Sequence, residues 1–80
     1  MDRSEILEQI NAIFKDTLDN DEVTVAETTI AADVDDWDSL THIQLVVAIE
    51  KHFKIKFTSW DIQSWNNVGE MMNTIQAKGI

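Results

Sequence analysis

The sequence predicts an all-α protein: a small four-helix bundle of three longer helices and one short third helix, with a long loop between helices one and two. Apolar residues recur at intervals of three and four in several segments, which is typical of helices with one buried face. The chain has no Pro, and no second segment could pair with the one short stretch that alternates like a strand. Eighty residues suffice for one thin core, so we expect a single domain over residues 1–80.

The first helix is predicted over residues 3–18. Asp2 and Glu5 have the spacing of a capping box, and one apolar stripe follows: Ile6, Leu7, Ile10, Ile13, Phe14 and Leu18. Residues 19–37 then form an acidic connection. A loop of this length in so small a domain is typical of a functional segment. Five apolar residues are expected to hold it against the core: Val23, Val25, Ile30, Val34 and Trp37.

Three more helices are predicted after the loop. Asp38 is a suitable N-cap for the second helix, which should run from residue 39 to about residue 53. The alternating segment 54–57 is interpreted as a connector that buries Ile55 and Phe57. The last two helices are predicted over residues 59–65, with Ser59 as the cap and Trp60, Ile62 and Trp65 on the helix, and over residues 68–77, closed by Gly79.

The charge of the chain is strongly negative, with 15 acidic and six basic residues and a net charge of −9. This argues against direct binding of nucleic acid. Nine of the acids lie between Asp16 and Asp38, where there is no Lys or Arg. They form either a solvated loop or a surface that steers the domain toward basic patches on partner enzymes. The later cluster of Lys51, Lys54 and Lys56 is interpreted as ordinary surface charge, with a basic recognition patch as the alternative.

The absence of Cys excludes disulfides and thiolate metal sites. No apolar run is long enough for a signal peptide or a membrane span. We therefore expect a cytoplasmic protein that does not insert into membranes.

The second helix has two apolar faces. Leu45, Val46, Ile49 and Phe53 share one face, and Leu40, Ile43 and Val47, here called the apolar strip, lie nearly opposite. Either the helix is central and wholly buried, or one face is exposed for a partner. Because Gln44 and Lys51 share the side of the apolar strip, burial would leave polar groups in a core. We predict that the apolar strip is a docking surface and that the other face is core.

The segment Asp38-Ser39-Leu40 and the helix behind it, through Glu50 and Phe53, resemble the signature of acyl carrier proteins. The Ile55-to-Phe57 connector, the short third helix and Val68-Gly69 also match, so the resemblance covers about residues 3–77. It implies that Ser39 carries a 4'-phosphopantetheine arm, transferred from coenzyme A by a phosphopantetheinyl transferase that recognises Asp38. It also implies a monomer that is not an enzyme and that presents thioesters to acyl-transferring and acyl-modifying enzymes of fatty-acid, lipid or polyketide synthesis. The expected docking residues are Leu40, Ile43, Val47, Asp35, Asp36 and Glu50.

Some residues depart from the pattern of primary fatty-acid carriers. The second helix has only one acid, Glu50, with His42, Lys51 and His52 around it. Together with Trp37, Trp60 and Trp65, this favours a specialised carrier. Two alternatives stay open: an aminoacyl or peptidyl carrier, disfavoured because Asp36-Trp37 stands where such carriers have Gly-Gly, and an unmodified helical interaction module in which Ser39 only starts a helix.

Other candidate sites have weaker support. His42 follows Ser39 by three residues, but no third group would orient a Ser-His pair, so we expect the modifying enzyme to supply the base. A calcium loop beginning at Asp33 lacks the required Gly and the final Glu, so no metal site is predicted. Four residues are interpreted as packing, with a cavity for the acyl chain as the alternative: Trp60, Trp65, Met71 and Met72.

Overall fold

Four α-helices and no β-strand make up the structure, a computed structural model that describes residues 1–80. The helices are α1 (Arg3–Thr17), α2 (Ser39–Phe53), α3 (Ser59–Ser64) and α4 (Val68–Ala77), and a single 3-10 turn, Ala31–Asp33, interrupts the long loop. The predicted fold class is confirmed. Helices α1 and α3 each end one residue earlier than predicted. None of the four helices combines the length and apolar character that a membrane span requires.

Side-chain caps fix where the helices begin. The Asp2 carboxylate accepts a hydrogen bond from the Glu5 N–H at 2.9 Å, as the spacing predicts. The prediction that Ser59 caps α3 is wrong, because Thr58 holds that position. The Thr58 hydroxyl accepts from the Asp61 N–H, and the Asp61 carboxylate accepts from the Thr58 N–H, both at 3.0 Å. This reciprocal pair is the capping box of α3.

The core lies between α1, α2 and α4. Its fully buried side chains are Ile6, Ile10, Phe14, Leu45, Ile49, Val68, Met71, Met72 and Ile75. The predicted core face of α2 is confirmed, since Val46 and Phe53 are buried as well. The apolar strip lies outside this core: Leu40 is 67%, Ile43 61% and Val47 42% exposed. The alternative of a wholly buried α2 is therefore excluded.

The long loop packs against the core through fewer residues than predicted. Val23, Val25 and Trp37 are buried, and Val34 packs at the edge of the core. The prediction for Ile30 is wrong, since its side chain is 42% exposed. Ile30 precedes the 3-10 turn, where its N–H donates to the Asp33 carboxylate at 3.0 Å. This bond within the loop fixes the local turn and leaves the Ile30 side chain directed toward solvent.

Backbone contacts join the loop to the beginning of α4. The Gly69 N–H donates to the Glu27 carbonyl at 2.7 Å, and the Val68 N–H donates to the Thr29 carbonyl at 3.0 Å. A Cβ on residue 69 would lie 3.0 Å from that Glu27 oxygen, so the close approach favours glycine. Arg3 reinforces the junction with hydrogen bonds to Glu27 and to Asn73 and Gln76 of α4. The loop is thereby fastened at its midpoint before it reaches α2.

Candidate functional site

The N-terminus of α2 is capped by Asp38. One oxygen of its carboxylate accepts hydrogen bonds from the Leu40 N–H at 3.0 Å and the Thr41 N–H at 2.9 Å. The Thr41 hydroxyl accepts from the Asp38 N–H at 2.8 Å and donates to the Asp36 carbonyl at 2.7 Å. The hydrogen bond from the Thr41 N–H is the largest cause that lowers the pKa of Asp38, and the Thr41 hydroxyl and Leu40 N–H add to it. The predicted role of Asp38 as helix cap is confirmed.

Ser39 is the first residue of α2, and its side chain is exposed. None of the hydrogen bonds that cap the helix uses its hydroxyl, because Asp38 and Thr41 make them all. Two of the backbone N–H groups that could bind an anion here are already bonded to the Asp38 carboxylate. The Ser39 hydroxyl is therefore available to another molecule, in a position where the helix dipole favours negative charge.

Three aromatic side chains pack in a row beside Ser39. Trp37 is buried with its ring edge-to-face against Phe14, at a centroid distance of 5.0 Å. The Trp37 and His42 rings are nearly parallel, with centroids 6.0 Å apart, and the His42 ring meets Trp65 edge-on at 6.1 Å. The Trp37 indole N–H donates to Nδ1 of His42 at 3.0 Å. The row therefore links the loop, α2 and the end of α3.

A cleft of about 430 Å³ opens beside this row. Its apolar lining comes from four residues, Ala31, Trp37, Trp65 and Met71. Its polar lining includes Asn66 and Asn67 from the turn before α4. Ser39, Asp38 and His42 lie along the same cleft. A group attached to the Ser39 hydroxyl thus begins next to a mainly apolar recess whose rim can form hydrogen bonds.

The predicted packing residues divide between three environments. Met71 and Met72 are buried, and Trp65 is half-buried with its indole N–H donating to the Thr74 hydroxyl at 2.9 Å. Trp65 and Met71 also line the cleft. The packing prediction for Trp60 is wrong, because its side chain is 78% exposed. A helix of six residues can turn only part of its surface inward, and here the half-buried residues are Ile62 and, directly after the helix, Trp65.

The predicted acidic docking residues differ in their surroundings. Asp35 and Asp36 are exposed, and Asp36 accepts a long hydrogen bond, 3.4 Å, from the Asn20 side chain. The Glu50 carboxylate accepts from the Phe57 N–H at 2.8 Å. Glu50 therefore holds the connector between α2 and α3, and its docking role stays a prediction.

Two residues of this site were not recognised in the sequence. Thr41 completes the capping box of α2, and the signal that could have revealed it is its position three residues after Asp38. The position of His42 in the sequence suggests a partner for Ser39 and a departure from the primary-carrier pattern, but not a contact with Trp37. Its bond to Trp37 could not be inferred, because the direction of the preceding loop decides which side chain reaches the imidazole.

The pKa of His42 is lowered mainly by burial, while a hydrogen bond with the Ile62 backbone acts in the opposite direction. A tryptophan N–H only donates, so Nδ1 of His42 must be unprotonated to accept it. The folded protein thus favours the neutral imidazole, whereas the unfolded chain takes up the proton at the ordinary value near 6.5. The free energy of unfolding therefore has its full value above pH 6.5. It decreases as the pH falls from 6.5 toward the lowered pKa of His42.

We expect the free energy of unfolding to decrease on acidification from pH 6.5 toward the lowered pKa of His42. Urea unfolding measured at steps from pH 7.5 downward checks it, and an NMR titration should place the His42 midpoint below 6.5. His42→Gln removes the titrating group and should flatten the dependence in that range. An equal slope in the variant, or a His42 midpoint above 6.5, would contradict the expectation.

Comparison with known proteins identifies the family. The family model described as "phosphopantetheine attachment site" matches residues 8–75. An acyl carrier protein of Thermosynechococcus vestitus is 33% identical over 79 residues, which cover 98% of this chain and 96% of that protein. The solution NMR structure of a holo acyl carrier protein from Geobacter metallireducens superposes with a TM-score of 0.84 at 38% identity, over 90% of this chain and 83% of that one. The chain therefore belongs to the acyl carrier proteins, which are not enzymes and carry acyl groups on phosphopantetheine.

Proposed function

We propose that Ser39 is the residue of this chain to which the phosphopantetheine is attached. The observation that carries the proposal is the exposed hydroxyl at the first position of α2, free of any capping role and directly beside the cleft. The surroundings fit the group: a phosphodiester is favoured by the helix dipole, and an apolar recess with an amide rim lies next to it. When bound, the group supplies a thiol that holds the acyl chain as a thioester.

The attachment needs a partner that supplies the base. The Ser39 oxygen forms a bond to the phosphorus of the phosphopantetheine, the phosphoanhydride of coenzyme A breaks, and 3',5'-ADP leaves with its electron pair. The proton of the Ser39 hydroxyl must pass to a base. His42 is poorly suited to this role, because its Nδ1 is bonded to Trp37. We infer that the phosphopantetheinyl transferase provides the base and that Asp38 contributes by holding the start of α2 in place.

We further propose that residues 1–80 form one carrier domain that acts as a cytoplasmic monomer. Its partners are enzymes that transfer or modify acyl groups in fatty-acid, lipid or polyketide-type synthesis. The apolar strip would contact them, with Asp35, Asp36 and Glu50 at its margins. The exposure of the strip next to Ser39 supports this arrangement, since an enzyme that reaches the arm must approach the same face.

Loading by a transferase tests the attachment site. The apo chain is incubated with coenzyme A, Mg²⁺ and a broad-specificity phosphopantetheinyl transferase, and its intact mass is measured. We expect a gain of one phosphopantetheine on the native chain and none on Ser39→Ala. Ser59→Ala is the matched control, because Ser59 is also an exposed serine at the first position of a helix, α3, and its loss should leave loading unchanged. The proposal is contradicted if the native chain gains no mass or if the Ser39→Ala chain gains the phosphopantetheine mass.

A further inference from the structure

The apolar strip continues into a row of lysines. Leu40, Ile43, Val47, Lys51 and Lys54 follow one another at intervals of three or four residues, so they form a single line along α2 and its C-cap. All five side chains are exposed. The line therefore begins beside Ser39, is apolar through its middle and is positively charged at its far end.

The lysines at that end surround one surface depression. Val47, Lys51, Lys54 and Lys56 line a recess of about 410 Å³ that also includes Glu50. Glu50 is the one acid there, and its carboxylate accepts the Phe57 N–H. The salt bridges of the protein lie elsewhere, between Arg3 and Glu27 and between Lys78 and Asp61. The three lysines are therefore left without an acidic partner inside the chain.

The backbone at Lys54 is unusual for a residue with a side chain. Lys54 has φ 58° and ψ 46°, in the left-handed region where helices commonly end on glycine. A glycine would adopt this conformation with less strain, yet a lysine occupies it and projects into solvent. The attraction of a cation to the C-terminus of a helix accounts for a positive charge in the last turn. It does not account for Lys56, which lies beyond the helix in the connector.

The opposite end of the line is acidic. Asp35, Asp36 and Asp38 are exposed around Ser39 and make no salt bridge. From Ser39 to Lys54 the helix rises about 22 Å, well beyond the screening length of about 8 Å at physiological salt. A partner therefore meets the two ends as separate charges of opposite sign, with the apolar strip between them.

We propose that the partner protein that docks on this face presents acidic side chains to Lys51, Lys54 and Lys56. Its surface has an apolar groove for Leu40, Ile43 and Val47, basic side chains at the end that meets Ser39, and acidic side chains at the end that meets Lys51, Lys54 and Lys56. The proposal rests on Ser39 as the attachment site, because the partner must lie over this face while the arm reaches into it. A second copy in antiparallel orientation would also match the charges, but it would lay its lysines over Ser39 and hinder access to it.

The orientation of a bound peptide tests the polarity. The probe is a synthetic amphipathic helix with a leucine face, lysines in one terminal third, glutamates in the other, and a nitroxide label at the glutamate end. On the ¹⁵N-labelled chain we expect the label to broaden the amides of residues 51–56 and to spare those of residues 35–39. In the triple variant K51E/K54E/K56E the selectivity should disappear or reverse, and the affinity should fall at least about tenfold, since three exposed attractive pairs become repulsive.

Charge-matched controls separate polarity from net charge. K54E and K15E change the net charge equally, but Lys15 is on α1, so K54E should weaken binding about twofold and K15E should leave it unchanged. Circular dichroism shows whether each variant is folded. If the triple variant is unfolded, K54E takes its place in the orientation test. Equal broadening at both ends, or equal effects of K54E and K15E, overturns the proposal. Analytical ultracentrifugation is a further test. If the native chain is a dimer and the triple variant is a monomer, the proposal is overturned, because the face then binds a second copy of the chain.

The two proposals fail in different ways. The mass gain at Ser39 does not depend on the peptide. If the chain is loaded but binds the peptide without a preferred orientation, only the proposal about the partner's acidic side chains is contradicted. If the chain is not loaded at Ser39, the proposed attachment site is contradicted, whatever the result with the peptide.

Discussion

Ile49→Ala is expected to lower the free energy of unfolding by about 2–5 kcal/mol. Ile49 is fully buried where α2 contributes to the core, and its truncation leaves a cavity that the neighbouring side chains fill only in part. A domain of this length has a total stability of about 4–12 kcal/mol. The substitution should therefore remove a large part of it, which urea unfolding followed by circular dichroism measures directly.

Ile43→Ala is the matched control, because it is the same substitution on the same helix. Ile43 is 61% exposed, so its truncation removes little buried surface. Alanine is also the better helix former, which offsets part of the remaining loss. We expect a change within about 0.5 kcal/mol. If Ile43→Ala proves as costly as Ile49→Ala, the apolar strip belongs to the core and cannot serve as a docking surface.

The helices could be predicted from the sequence because their signals are local. The stripe on α1 and the core face of α2 repeat with the helical period, and Asp2 and Asp38 mark where these helices begin. The sequence also predicts which of the two apolar faces of α2 is buried, because the polar Gln44 and the charged Lys51 share the side of the apolar strip. Burial of those groups would have cost more than the apolar side chains would gain.

The errors fall where the local signal is short. Ile30 lies in a loop without periodicity, so its apolar character said nothing about the direction of its side chain. Trp60 is in a helix of six residues, which has too few turns to define a buried face. The cap of α3 was misplaced by one residue because Thr58 and Ser59 are equally suitable caps by residue type, and only the reciprocal bonds with Asp61 distinguish them.

Only the local part of the site could be predicted from the sequence. Ser39 and Asp38 were identified from adjacent positions and a family signature, both of which are properties of the sequence. The cleft beside Ser39 joins residues from the loop, α2 and the turn before α4. Its shape depends on contacts such as the hydrogen bond between Trp37 and His42 and the edge contact between His42 and Trp65. Spacing along the chain does not encode these contacts.

Asn11→Ala is expected to destabilise the fold through contacts of this long-range kind. The Asn11 side chain accepts a hydrogen bond from the Val25 N–H at 2.7 Å and donates one to the Val25 carbonyl at 3.0 Å. Val25 is almost fully buried, so the variant leaves both of its backbone groups without a partner. That loss exceeds the gain of about 0.5 kcal/mol from the better helix propensity of alanine in α1. We expect a net decrease of about 1–2 kcal/mol in the free energy of unfolding.

Hydrogen exchange distinguishes this explanation from a general loss of packing. A loss of about 1–2 kcal/mol in global stability speeds the exchange of the core amides of α2 and α4 by about 5–30-fold. Because Asn11 holds the loop at Val25, the Val25 amide should be accelerated by a larger factor than these core amides in Asn11→Ala. Asn66→Ala is the control, since Asn66 is exposed and its one side-chain bond, to Glu70, is 3.5 Å long. Equal destabilisation by both variants would show that Asn11 is not the anchor of the loop. The loop, and with it the wall of the cleft beside Ser39, would then be held by the backbone bonds to Val68 and Gly69, by the Arg3 contacts and by its buried apolar side chains.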